Sequence, residues 1–197
     1  FIMDETKFLY IDVETNGIGD FRPPTQRVVQ LGYIMGDIQQ SEFINDVEEV
    51  SPHVPHPYDV DYLKKNGKDF DEMINDFHTV LKDSTHIVAH NIDFDLGCIV
   101  NELKKRTTYK KLKDDPKYYP IVEEILKKPI IDTMKETVKI CKLQGKYKSY
   151  KWPKLEELYE FCFEEKPEIV LHDALNDCII TRKCLNMLTK NNMLKIK

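Results

Sequence analysis

The run Phe8-Leu9-Tyr10-Ile11-Asp12-Val13-Glu14-Thr15 sets two carboxylates into an otherwise apolar and aromatic segment, and few folds accommodate that. A short run of this kind, ended by the turn chemistry of Thr15-Asn16-Gly17, predicts a buried strand. Side chains two apart on a strand share a face, so Asp12 and Glu14 point the same way. The strand is the most apolar in the chain, which predicts a central place in a sheet. Its acids stand at the C-terminal end, where open α/β sheets put their sites. Alone, Asp-x-Glu is a weak signal, because strand ends often carry exposed acids.

The remaining pattern supports such a sheet. Residues 28–35 form a second apolar run, and Gly36-Asp37 offers a tight turn into residues 38–44, which predicts a hairpin. Residues 51–58, rich in Pro and His, predict a loop. Phe70, Met73, Ile74, Phe77 and Leu81 recur at helical spacing. A short strand is expected over 86–90, and then a helix to about Lys105 that Asp93 is placed to cap, with Phe94, Cys98, Ile99 and Val100 inward. Pro116 and Pro120 bracket a turn before another short helix. A strand over 130–132, helices over 133–141 and 155–163, and a last helix over 174–188 complete the expectation. Strands that come first as a meander and later alternate with helices predict a mixed sheet with helices on its faces, in the α/β class. No repeat or Gly/Ser linker divides the chain, so one domain is expected over residues 1–197.

Composition narrows the class. With 41% apolar and 32% charged residues, 197 residues suffice for a soluble domain with a full core. No apolar run has membrane-spanning length and no N-terminal stretch has the layout of a signal peptide, so no membrane association is expected. The first residue is Phe1, which reads as a trimmed chain or one domain of a longer protein. The five cysteines form no CxxC pair, and reduced, buried thiols in an intracellular protein are expected. A net charge of −5 argues against broad electrostatic wrapping of nucleic acid. It leaves room for a cleft in which bound cations reverse the local sign. The basic stretch 104–117 is either a solvated helix end and loop or a patch that steers a phosphate backbone.

Two further stretches carry chemistry. His90-Asn91-Ile92-Asp93-Phe94-Asp95 leaves a predicted strand and enters a helix; Asp95, set beside Phe94 and Leu96, needs a partner. In His172-Asp173-Ala174-Leu175-Asn176-Asp177 the histidine and the last acid are five apart, ~140° around a helix, so they would not share a face. They meet only if His172 precedes the first turn and Asp177 sits on the helix, with Asp173 at its start. His53, His56, His78 and His86 complete no nucleophile triad, Cys178 and Cys184 lack zinc-ligand spacing, and all read as structural or surface. Gathered together, four carboxylates and a histidine are costly unless cations hold them, which points to divalent metal.

The order Asp-x-Glu-Thr, His-Asn-x-x-Phe-Asp, and His followed five positions later by Asp resembles the DEDDh (DnaQ-like) 3′→5′ exonucleases. The resemblance runs from Phe8 to about Leu188, with echoes in Val28-Val29-Gln30-Leu31-Gly32, Ile131-Asp132-Thr133-Met134 and Lys154-Leu155-Glu156-Glu157-Leu158. It implies a ribonuclease H-like fold, a mixed five-stranded sheet flanked by helices. It implies that Asp12, Glu14, Asp95 and Asp177 hold two divalent ions, Mg²⁺ or Mn²⁺, and that His172 is the general base. Thr15, Asn16 and Gly17 would line the pocket for the last nucleotide, with His90, Asn91 and Phe94 nearby. The implied activity releases 5′-mononucleotides from single-stranded or frayed DNA 3′ ends, with short RNA or RNA ends as the alternative substrate and a polymerase or a second copy as partner. An inactive binding module and a two-metal hydrolase of small phosphoesters are the readings from other classes. Residues 51–67 depart from the Ile-His-Gly-Ile type segment of many members, which leaves recognition of the terminal base open.

Overall fold

The computed structural model describes residues 5–17, 26–146 and 149–196. Five strands, β1 (Phe8–Thr15), β2 (Val28–Met35), β3 (Ile38–Phe43), β4 (His86–Ala89) and β5 (Ile130–Asp132), make one sheet in the order β3-β2-β1-β4-β5. β1 pairs antiparallel with β2 and parallel with β4; β2–β3 is antiparallel and β4–β5 parallel. The mixed sheet and the central β1 are as the sequence predicts. The helices are α1 (Val60–Asn66), α2 (Phe70–Asp83), α3 (Ile92–Arg106), α4 (Tyr119–Lys127), α5 (Thr133–Glu136), α6 (Val138–Cys141), α7 (Leu155–Phe163) and α8 (Ala174–Lys190).

Alternation along β1 splits its side chains between two cores. Leu9, Ile11 and Val13 pack with α2 and α3 residues such as Phe77, Leu81 and Cys98. Phe8 and Tyr10 pack on the other face with Cys178 and Leu185 of α8. Asp12 and Glu14 follow Phe8 and Tyr10 in the period of two, so they face α8.

Helix α8 approaches β2 closely because position 32 has no side chain. A Cβ on Gly32 would lie 2.3 Å from the Ala174 carbonyl carbon, and Gly32 is the register partner of Asp12. Gly32→Ala is therefore expected to destabilise the protein by about 1–3 kcal/mol, read as a lower midpoint in thermal denaturation. A midpoint equal to the parent's would mean that α8 has slack at its start.

Several boundaries differ from the sequence expectation. Helix α1 is not among the expected elements: Asp59 caps it by accepting the Tyr62 N–H at 2.8 Å, but only Leu63 is buried, so no apolar stripe marks it. Strand β4 stops at Ala89 and His90 leaves the sheet. Asp93 does not cap α3; Asn91 holds that position at φ 78°, and Asp93 pairs with Lys135 at 2.6 Å. Cys98 and Ile99 are buried as expected, whereas Phe94 and Val100 are half-buried. The helix expected over 133–141 breaks at Thr137, whose hydroxyl donates to the Thr133 carbonyl at 2.7 Å. In the basic stretch, Arg106 pairs with Asp46 and Glu102 and Lys117 with Asp71, so these two cations serve the fold. Cys98, Cys162, Cys178 and Cys184 are buried, Cys141 is half-buried, and all five are free thiols. No helix among the described residues is long and apolar enough to cross a membrane.

Candidate active site

Three elements meet at the C-terminal end of β1. Pairing of β1 with β4 ends at Tyr10–Val88, which leaves the Val13 N–H without a strand partner on that side. Asp95, in the first turn of α3, supplies one: its Oδ1 accepts the Val13 N–H at 3.1 Å, across 82 residues of chain. The left-handed Asn91 turns the chain from β4 straight into α3, and its N–H is held by Asp132 Oδ1 at 3.1 Å, at the end of β5. From the other face, α8 begins at Asp173, which accepts the Asn176 N–H at 2.9 Å, and Asp177 follows one turn later. His172 lies outside the helix, exposed and left-handed at φ 65°. Ligand-capable atoms of Glu14, His172 and Asp177 all fall within 4.8 Å of one another.

The carboxylates sense one another. Burial first, and then the charges of Asp95, Asp177, Glu14 and Asp173, push Asp12 well above the usual carboxylate value. Burial and the charges of Asp177 and Asp173 push Glu14 up to about 8. Burial raises Asp177 to about 7 against an opposing backbone hydrogen bond from His172. Asp95, 2% exposed, is raised by burial although the Val13 N–H works against it. Among the described residues, Asp177 Oδ1 is buried without a hydrogen-bond partner. Asp173 is the contrast. Its burial is outweighed by hydrogen bonds from Tyr58, Gln30 and backbone N–H groups, which hold it below the usual value. An orphaned carboxylate oxygen among other raised carboxylates is stable only with a proton or a cation. Hard oxygen donors at this density fit divalent cations of the Mg²⁺ and Mn²⁺ kind.

A family model described as exonuclease matches residues 9–185, from β1 into α8. The chain belongs to this exonuclease family. Nucleases of this family depend on divalent metal. Solved structures similar to this chain include E. coli exonuclease I in complex with a dA16 oligonucleotide, with a TM-score of 0.63 at 16% identity over 93% of this chain and 40% of that one. The zinc-bound form of the E. coli exonuclease I complex with single-stranded DNA gives 0.63 at 15% identity, over 94% of this chain and 41% of that one. The chain thus spans about two fifths of the length of those structures, and the likeness establishes the ribonuclease H-like fold. Comparison with curated proteins finds no match.

Around the carboxylates, the other residues expected at the site take distinct places. The Thr15 hydroxyl donates to the Gly17 carbonyl at 3.1 Å, closing the turn after β1. The Asn16 side chain is used within the chain: Oδ1 accepts the Arg27 N–H at 2.8 Å and Nδ2 donates to the Glu49 carbonyl at 3.1 Å. His90 faces Thr133 Oγ1 at 3.0 Å and donates from Nε2 to the Pro153 carbonyl at 2.9 Å, so its ring ties β4 to α5 and to the segment before α7. Phe94 is half-buried against the core.

Four residues at the site lie outside the sequence expectation. His56, read from sequence as structural or surface, is buried; its Nε2–H donates to the Thr15 carbonyl at 2.8 Å, and Nδ1 accepts the Tyr58 N–H at 3.3 Å. Burial lowers its pKa, in keeping with that neutral tautomer. The Tyr58 hydroxyl donates to Asp173 Oδ2 at 2.6 Å, and Gln30 Nε2 donates to the same oxygen at 2.8 Å while its Oε1 accepts the Ala174 N–H at 3.0 Å. The fourth is Asp132, which holds the Asn91 turn. The sequence signals for Gln30 are a polar Gln in the middle of an apolar strand and its place in the 28–32 echo of the family. The Pro-rich setting of His56 and Tyr58 offers none.

Proposed function

We propose that the protein is a metal-dependent 3′→5′ exonuclease that releases 5′-mononucleotides from single-stranded or frayed DNA ends. The observation that carries this reading is the convergence of Glu14, His172 and Asp177 within 4.8 Å at the end of the central strand, with Asp12 and Asp95 beside them. The neighbours that bind single-stranded DNA favour DNA over RNA as the substrate. Asp12, Glu14, Asp95 and Asp177 would hold two divalent ions, which when bound neutralise charge on the scissile phosphate and the departing oxygen.

The chain's own groups do the rest. The exposed His172 ring accepts a proton from the attacking water, a role that suits imidazole near neutral pH. Water oxygen bonds to phosphorus, the bond from phosphorus to the 3′-oxygen of the penultimate nucleotide breaks, and that oxygen takes up a proton. The turn Thr15–Gly17 and the Tyr58 ring would flank the space for the terminal nucleotide, and Asn91 and Phe94 would border it at the start of α3.

Matched 5′-labelled DNA and RNA oligonucleotides, digested side by side with Mg²⁺ or Mn²⁺ and with chelator, test this. The expected result is a ladder shortening from the 3′ end, mononucleotide products, faster loss of DNA and no cleavage without metal. Shortening from the 5′ end, or equal cleavage in chelator, would overturn the reading. Faster loss of RNA would replace DNA by RNA as substrate.

A further inference from the structure

We propose that Tyr150 and Trp152 form a stacking platform for nucleotides upstream of the 3′ end held in the site, an inference that rests on the exonuclease reading. Both rings face solvent, Tyr150 48% and Trp152 54% exposed. They lie on one arm of a small hairpin: Gln144 pairs with Tyr150, the Gly145 N–H donates to the Ser149 carbonyl at 2.8 Å, and the Lys151 N–H donates to the Leu143 carbonyl at 3.0 Å. Residue 152 precedes Pro153, which favours extended backbone there. In an extended arm, side chains two apart share a face at ~6.6 Å, about two base steps of a nucleic-acid strand. Lys151 points the other way and is paired with Glu157.

The arm is tied to the catalytic end of the sheet. The Pro153 carbonyl, one residue after Trp152, accepts the His90 Nε2–H at 2.9 Å. His90 directly precedes Asn91, the cap of the helix that carries Asp95. The charge around the rings suits a phosphate backbone. Lys142, Lys146 and Lys154 take part in no ion pair among the described residues, while the nearest acids, Glu156 and Glu157, are paired with Lys166 and Lys151. Aromatic faces interleaved with free cations hold single strands with little regard to sequence, because every base offers a π-face.

Trp152 is the single tryptophan of the chain, so its fluorescence reports on this arm alone. With metal chelated to prevent cleavage, a thymidine decanucleotide is expected to quench it saturably and a thymidine dinucleotide to leave it unchanged. Trp152→Ala should weaken decanucleotide binding, followed by anisotropy of a labelled strand, roughly tenfold, the loss of one stacked base. Trp152→Phe should restore most of it. With Mn²⁺, cleavage of the dinucleotide by Trp152→Ala should match the parent, since the fault lies outside the carboxylate site. A parent that cuts DNA but shows no quenching overturns the platform alone. So does a variant that binds the decanucleotide as the parent does, or one whose only defect is lost self-association in sedimentation. A parent that neither binds nor cuts any oligonucleotide overturns the exonuclease reading with it.

Discussion

Asp177→Asn is expected to reduce cleavage by about a thousandfold or more while leaving the protein folded. A bound cation contributes several kcal/mol of charge stabilisation to phosphoryl chemistry, and each ~1.4 kcal/mol is a factor of ten in rate. Asn keeps the shape of Asp but offers the cation a neutral amide in place of a charged oxygen. The fold should not suffer, because Asp177 Oδ1 has no hydrogen-bond partner among the described residues to lose and the backbone hydrogen bond from His172 can pass to the Asn carbonyl oxygen. Removing one negative charge also relieves Glu14 and Asp12, both of which its charge pushes upward. Lower activity should therefore come with an equal or higher thermal midpoint in metal-free buffer at pH 8. The two readouts together separate a ligand from a structural residue. Parental cleavage by the variant would remove Asp177 from the site, and a large fall in the midpoint would make it a folding residue. His172→Ala gives a different pattern. General-base loss costs about 10²–10⁴ in turnover, and the exposed ring position predicts little change in oligonucleotide affinity. A pure affinity defect would count against the base role.

Legibility of this site follows the physics of each segment. The period of two is enough to place Asp12 and Glu14 on one face, and the awkward five-residue spacing puts His172 outside its helix, where the structure has it. Asp95 is marked by its apolar neighbours as an acid in need of a partner. That partner, the Val13 N–H, stays hidden in the sequence because only the early divergence of β4 from β1 frees it. The long apolar stripes of α2 and α8 are visible, whereas α1, with a single buried Leu63, is not. The Pro-rich loop that delivers His56 and Tyr58 has no periodicity, since its docking depends on two long-range hydrogen bonds, to Thr15 and to Asp173. The close approach at Gly32 is equally silent in sequence: nothing in a strand pattern says that a helix start will rest on it.

Metal-free protein is expected to become more stable as pH falls from 8 to about 6.5, opposite to the usual acid trend. Glu14 rises from its ordinary value of 4.5 to about 8 in the fold, and Asp177 from 3.8 to about 7. A carboxyl with a raised folded-state pKa keeps its proton after the unfolded chain has lost it. The folded state then binds more protons, and stability falls as pH rises. The penalty is absent below the unfolded values, grows through the window from about 4 to 8, and is complete above it. Asp46, held low by its hydrogen bond to Arg106, acts in the ordinary sense, and its contribution fades only as pH falls below the unfolded value of 3.8. Buried His56 and half-buried His90 have lowered values, so they oppose the trend once pH falls below the unfolded value of 6.5. The clean interval is therefore 8 to 6.5. Mn²⁺ or Mg²⁺ should raise the midpoint most at pH 8, by an amount equivalent to about 2.7 kcal/mol at a hundredfold excess over Kd, and progressively less on acidification as protons compete for the same oxygens. Thermal melts across this interval, with chelator and with Mn²⁺, measure both effects. A flat chelator profile together with no response to Mn²⁺ would mean that these carboxylates neither repel one another nor bind a cation.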